Sequence, residues 1–279
     1  MTGEPPTARA FADRIVAKLA ADGVDWQRSN ADGFVLGDPD VPVRGVAVVF
    51  EPTLEALQRA AERDLNLVIS HEAASWYGFD SLGLMRGDVV TRTKTRFARE
   101  HGMAVWRIHD HLHRMQPEPV FTELMEVLGF TPFFGPEADF AHIAIPERTL
   151  HDLAEELGAK LGTTNISVVG DPEMAVRSIG IGAHTLPTAL PALRASDVVI
   201  LGETAEYDTF EYVRDANQLG MRKAVIRIAH ERLEEWGMAA FARLLRPLLP
   251  EARVEWLPNG DPFMAYLPDS SEGDARVSS

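Results

Sequence analysis

A chain of 279 residues is long for one compact domain and short for two independent ones. Its composition, 46% hydrophobic and 25% charged, is that of a folded globular protein, and no apolar run approaches the ~18 residues a membrane span needs, so a membrane is not an expected partner. Acidic residues number 42 against 27 basic, a formal charge of −15 that repels phosphate backbones and argues against nucleic acid, while the absence of cysteine excludes disulfides and thiolate metal sites.

Residues 1–7 lack the basic stretch and apolar core of a secretory leader, so a cytoplasmic location is expected. From there strand-like and helix-like segments alternate. Residues 8–21 carry Phe11, Ile15 and Leu19 at four-residue spacing and stop at Gly23, which predicts a helix. Runs at 45–50, 65–70 and 103–108 read as strands, with helices at 53–63, 90–101 and 120–128. The second half repeats the pattern, with strands at 141–145, 166–169, 176–181, 198–201, 224–229 and 253–257. Its helices are expected at 149–161, opened by Thr149 and Asp152 as a near capping box, and at 209–219 and 231–249.

Continuous rather than alternating apolar runs mark strands buried on both faces, and helices between them predict a layered α/β sheet. The repeated pattern suggests an internal duplication over roughly 40–135 and 140–260, although the halves share no visible identity. The expected organisation is a first half at 1–137, a second at 138–268 and a disordered polar tail at 269–279.

Four places carry chemistry. The run at 65–70 delivers His71-Glu72 at its carboxyl end, the edge where open α/β sheets bind ligands. The run at 103–108 ends in His109-Asp110-His111-Leu112-His113; if the chain stays extended, the three histidines share one side. His230 and Glu234 are four apart at a strand–helix junction and project from one helix face. Glu203 and Glu206 follow the run at 198–201 and read as a catalytic base, a ligand support or an acidic loop capping the next helix. Taken singly, each is as well explained by a polar strand end or an exposed helix face.

In order, these pieces resemble the NIF-three-like family of dinuclear metal-centre hexameric proteins, also described as GTP cyclohydrolase I type-2 homologues. That family has a strand ending in Ser-His-His-Pro, another ending in His-Thr-Asn-Leu-Asp, a Gly-Glu-x-x-Glu loop and a late Gly-His-x-x-(Thr/Ser)-Glu. The matching pieces here begin at Ser70, His109, Gly202 and Ala229, and residues 32–37 are loosely similar to the family's early Asp-Asn-x-Gly-Leu-x-x-Gly. The resemblance implies an α/β fold of three-layer α/β/α type with two similar, duplicated and intertwined halves.

It also implies two divalent metal ions per chain (Zn, Fe or Mn) on His71, Glu72, His113, His230 and Glu234. Glu72 stands where the family has histidine and His113 where it has aspartate, an exchange that keeps three histidines and two carboxylates. Asp110 and His111 are alternatives to His113, and His184 is an extra candidate near the site. The expected activity is a hydrolase attacking a small molecule with a hydroxide made at the metals, on a nucleotide or heterocyclic C–N bond. Glu234 would bridge, Glu203 would act as base or proton shuttle, and His109 would support the ligands. A non-enzymatic metal-binding or metal-delivery protein of the same fold is the alternative. A homo-oligomer, specifically a homohexamer, is also implied.

Overall fold

The computed structural model describes residues 4–26, 29–75, 85, 87–133, 140–181 and 184–264. The tail expected from 269 and most of residues 76–88 lie outside the described residues.

The first repeat runs α1 (Ala8–Ala21), β1 (Gly33–Gly37), β2 (Gly45–Val49), α2 (Leu54–Glu62), β3 (Leu67–Ser70), α3 (Val89–Glu100), β4 (Ala104–Arg107). It is followed by α4 (Asp110–His113), α5 (Pro119–Val127) and β5 (Ile143–Thr149). The second runs α6 (Leu150–Leu161), β6 (Ser167–Val169), β7 (Ala175–Ile181), α7 (Leu186–Ala195), β8 (Val198–Leu201), α8 (Glu211–Gln218), β9 (Ala224–Arg227). It is followed by α9 (His230–Leu248) and β10 (Arg253–Trp256).

The two sheets share one strand order and differ in the direction of the fifth strand, β10 running parallel to β2 and β5 antiparallel to β7. The first is ordered β1-β4-β3-β2-β10 and the second, read from its far edge, β6-β9-β8-β7-β5. In each, three central strands are parallel and the strand that precedes them in the repeat lies antiparallel at one edge. The fifth strand is exchanged. β5 follows the first repeat but pairs with β7, and β10 follows the second but pairs with β2. The duplication expected from the repeated pattern is therefore real and the halves are intertwined.

Each sheet is covered on both faces. Val46, Val48, Leu67 and Ile69 face α1 and α9, whereas Ala47, Val49, Val68 and Val105 face α2 and α3. In the second sheet Val176, Ile179, Val198 and Ile200 face α6, and Val199, Leu201 and Val225 face α7 and α8. Every residue of β2, β3, β4 and β8 is buried, as continuous apolar runs require. Gly237 lets α9 cross α5 closely, because a Cβ there would lie 2.6 Å from the Val120 Cα.

Three elements differ from the sequence expectation. β1 was legible only as a motif, since it is short, glycine-bounded and bulged between Phe34 and Leu36. α7 carries Pro187 in its first turn and Pro191 inside, two signals that mask a helix opened by the Thr185–Thr188 capping box. The stretch 109–113 is not extended but turns into α4.

Candidate metal centre

The carboxyl edges of the two sheets meet, and the polar strand ends of both repeats converge there. His71 and Glu72 leave β3, His109 leaves β4, Gly202 and Glu203 leave β8, and His230 opens α9 just past β9. α9 runs from the second sheet onto the first, packing Met238, Phe241 and Leu245 over Val46, Val48 and Leu67. That crossing fixes Glu234 against His71.

The α4 turn decides which histidines take part. On a helix His109 and His113 are four apart and share a face, while His111 points away. His111 stacks on Trp26 at 3.7 Å between ring centroids, donates to Asp32 and accepts from Arg114 at 3.1 Å. Asp110 pairs with Ser29 at 2.7 Å and with His109 at 3.0 Å. The shared side expected for all three histidines is thus corrected to His109 and His113 alone, and His113, not Asp110 or His111, joins the candidate cluster. The physical reason is Asp32, whose carboxylate accepts the backbone N–H groups of His109, Asp110 and His111 at 2.6, 3.0 and 3.0 Å and nucleates the turn.

Among the described residues three overlapping groups could hold metal ions: His71, His109 and His113; His184, His230 and Glu234; and His71, Glu72 and Glu234. Three of these rings are anchored through Nδ1. His71 Nδ1 donates to the Ile108 carbonyl at 3.2 Å, His109 Nδ1 to Asp110, and His113 Nδ1 to Glu118 at 2.8 Å. This leaves each Nε2 as a lone pair aimed at the cluster, the usual preparation of a ligating imidazole.

Glu234 Oε2 lies 3.2 Å from His71 Nε2 and 3.0 Å from His230 Nε2. All three atoms are buried and, with His184 Nδ1, make no hydrogen bond of acceptable geometry. Buried polar atoms are rarely left so, and several lone pairs converging on one point is the arrangement a cation resolves. The donor set of imidazoles and carboxylates therefore fits divalent ions of the Zn, Fe or Mn kind. Glu72 is held from behind by buried Arg107, which donates to Glu72 Oε2 at 3.1 Å and to the His71 carbonyl at 2.9 Å. Its Oε1 lies 3.6 Å from His109 Nε2.

Burial opposes a charge on His230, but Glu234, helped by Glu72 and Glu203, outweighs it and raises its pKa to about 9. Burial also opposes the Glu234 carboxylate, yet His230 and His71 hold its pKa well below the usual range. Burial, reinforced by His71 and His113, pushes His109 down to about 4. The signs predict a proton-linked site. His230 is protonated below pH ~9 and must lose that proton to ligate, and Glu118 outweighs burial to raise His113 as well. Cation binding at pH 7 is therefore expected to release one proton or more and to weaken as pH falls. Calorimetry of Zn²⁺ or Mn²⁺ binding in buffers of different ionisation enthalpy measures it, and a release near zero would contradict the assignment.

Glu203 is exposed and lines a cavity of 280 Å³ together with Glu51, Glu72, Arg227, His230, Glu231 and Phe263. Gly202 beneath it is a close-packing point, since a Cβ there would lie 3.0 Å from the His230 Cα. Gly202→Ala is expected to shift His230 and weaken cation binding by about tenfold with little change in fold, read by competition with a chromogenic chelator. Unaltered affinity would show that the contact has slack. Sequence reasoning missed Arg107, Glu118 and Arg227, which no local pattern marks. Asp32 was seen only as part of a motif.

A duplicated α/β/α protein with a histidine–carboxylate cluster between its two sheet edges is the class that fold and site define. The sequence profile of the Duf34/NIF3 (NGG1p interacting factor 3) family matches residues 13–259, and the chain belongs to that family. A Bacillus cereus protein related to NIF3 superposes with a TM-score of 0.71 at 13% identity, covering 95% of this chain and 100% of that one. A hypothetical protein of Staphylococcus aureus gives 0.70 at 19% identity, covering 94% and 100%. Reduced HcgD from Methanocaldococcus jannaschii gives 0.59 at 14% identity, covering 90% and 97%. These likenesses show the fold. No curated protein matches the sequence. Among the described residues no helix is long and apolar enough to cross a membrane.

Proposed function

We propose that the chain is a dinuclear-metal-dependent hydrolase of a small molecule, with Zn, Fe or Mn as the metal. The ions would be held by His71, Glu72, His109 and His113 on one side and by His184, His230 and Glu234 on the other, with Glu234 shared. This adds His109 and His184 to the five ligands expected from sequence. The observation that carries the reading is the convergence of the unpartnered atoms His71 Nε2, His184 Nδ1, His230 Nε2 and Glu234 Oε2. Two bound divalent ions would supply Lewis acidity, polarising a carbonyl, imine or phosphoryl oxygen and acidifying a water.

The chain's own groups supply the rest. Glu203, at the exposed rim of the cavity, takes a proton from the attacking water at its carboxylate. Glu51, which lines the same cavity and whose pKa is raised by burial first and then by Glu231 and Glu72, is the acid placed for the leaving nitrogen or oxygen. Phe50 packs against the His71 and His230 rings at 5.8 and 5.0 Å between centroids and screens that flank from water. The cavity's size suits a compact substrate, and hydrolysis of a heterocyclic C–N bond is the reaction we favour. A cytoplasmic homohexamer completes the proposal.

The test is metal analysis of the purified protein, followed by a screen of the loaded protein against nucleotides, cyclic amides and esters. About two ions per chain and turnover abolished by His230→Ala are expected. Fewer than about one ion, or turnover that survives the substitution, would refute the hydrolase.

A further inference from the structure

We propose that Arg227 is the anchor for an anionic group, a phosphate or carboxylate, on the molecule that enters the cavity beside the cluster. The inference rests on the proposed function for what the cavity is for, but not for the anchor itself.

Arg227 ends β9, paired with Leu201 of β8 and Ser167 of β6, three residues before His230. It therefore stands at the carboxyl edge of the second sheet and lines the same 280 Å³ cavity as Glu72, Glu203 and His230. Apart from His230, which belongs to the cluster, the other titratable lining is acidic: Glu51, Glu72, Glu203 and Glu231. An arginine among four carboxylates would ordinarily pair with one of them. Here, among the described residues, its guanidinium has neither hydrogen bond nor ion pair, and it lies 4.8 Å from the Phe263 ring centroid. A half-buried guanidinium with its donors unclaimed is a fork set for an oxyanion, and stacking on an aromatic ring holds it without using those donors.

The wall that carries Phe263 is fixed from both halves. Asn259 accepts the backbone N–H groups of Phe50 and Glu51 at 3.0 and 3.1 Å, and its own N–H donates to Glu235 at 3.1 Å. Thr163 donates to Asp261, and Asn165 donates to Asp261 at 3.1 Å and to the Phe263 carbonyl at 2.9 Å. The segment after β10 is thus strapped across the cavity mouth with Phe263 seated on Arg227. Among the described lining residues outside the metal cluster, Arg227 alone carries a fixed positive charge, so it is the element that orients an anion. A neutral substrate would give this arginine nothing to bind.

The test uses phenyl phosphate and benzoate as probes, titrated into metal-free and Zn²⁺-loaded full-length protein by calorimetry, with metal content measured on every sample. At least one probe is expected to bind. Arg227→Gln should weaken it about tenfold or more in both forms at unchanged metal content, and Arg227→Lys should weaken it less. Dependence of phenyl phosphate alone identifies a phosphate anchor, and of benzoate alone a carboxylate anchor. Failure of both probes to bind the wild type, or equal binding by the arginine, glutamine and lysine forms, overturns the proposal. Arg227-dependent binding by protein that takes up no Zn²⁺ when loaded would sink the hydrolase and leave the anchor standing.

Discussion

Glu234→Gln is expected to abolish cation binding, lowering affinity by at least ~100-fold, while leaving the metal-free protein as stable as the wild type. One oxygen, Glu234 Oε2, faces His71 Nε2 and His230 Nε2 at 3.2 and 3.0 Å. With His71 Nδ1–H committed to the Ile108 carbonyl, its Nε2 presents a lone pair to that oxygen, an opposition only a shared cation or proton relieves. A glutamine amide nitrogen in the same place donates to both rings. It satisfies the metal-free site, removes the buried charge that raises the His230 pKa, and offers a poor ligand.

The two readouts should therefore separate. Metal analysis gives the loss of ions, and urea unfolding with and without chelator gives the stability. Wild-type protein should lose about 3 kcal/mol on chelation at cation concentrations near a hundred times Kd, and the variant none. Glu234→Gln protein that still holds two ions, or that unfolds when metal-free, would remove Glu234 from the bridging role.

The candidate cluster was legible in the sequence because most of its residues follow the ends of buried strands. The apolar runs before His71, His109 and Gly202 are buried at every position, so the chain announces where each strand stops and a polar side chain must be accommodated. The duplication was legible for the same reason. The exchange of β5 and β10 was not, because nothing in a strand's own residues names the sheet it joins. The outcome for the three histidines after β4 also lay elsewhere. An extended chain and a helix assign their faces oppositely, and His109 to His113 contains no residue that decides between them. The deciding residue is Asp32, 77–79 positions earlier. His184 was visible only as a histidine near a turn, and Arg227 lay unmarked inside the strand expected at 224–229.

Asp32→Ala is accordingly expected to be the most disruptive single change away from the ligands, costing about 3–5 kcal/mol. Its side chain is 3% exposed and accepts three backbone N–H groups as well as the His111 ring. Removing it leaves the first turn of α4 uncapped and a buried imidazole without its carboxylate, while Trp26 still packs on the ring at 3.7 Å. Because His109 and His113 bracket that turn, the loss should also reach the metal centre from one side only. The group of His71, His109 and His113 loses its geometry, whereas His230 and Glu234, set by α9, and His184, just before α7, keep theirs. Metal content should fall toward one ion per chain in protein that still folds at low temperature. Asp32→Asn, which keeps one acceptor oxygen, should recover part of the stability and less of the metal. Urea midpoints and metal analysis of both variants give the answer. Wild-type stability in Asp32→Ala, or loss of both ions together with an intact fold in Asp32→Asn, would show that α4 is not held from Asp32 or that the two ion sites are not independently built.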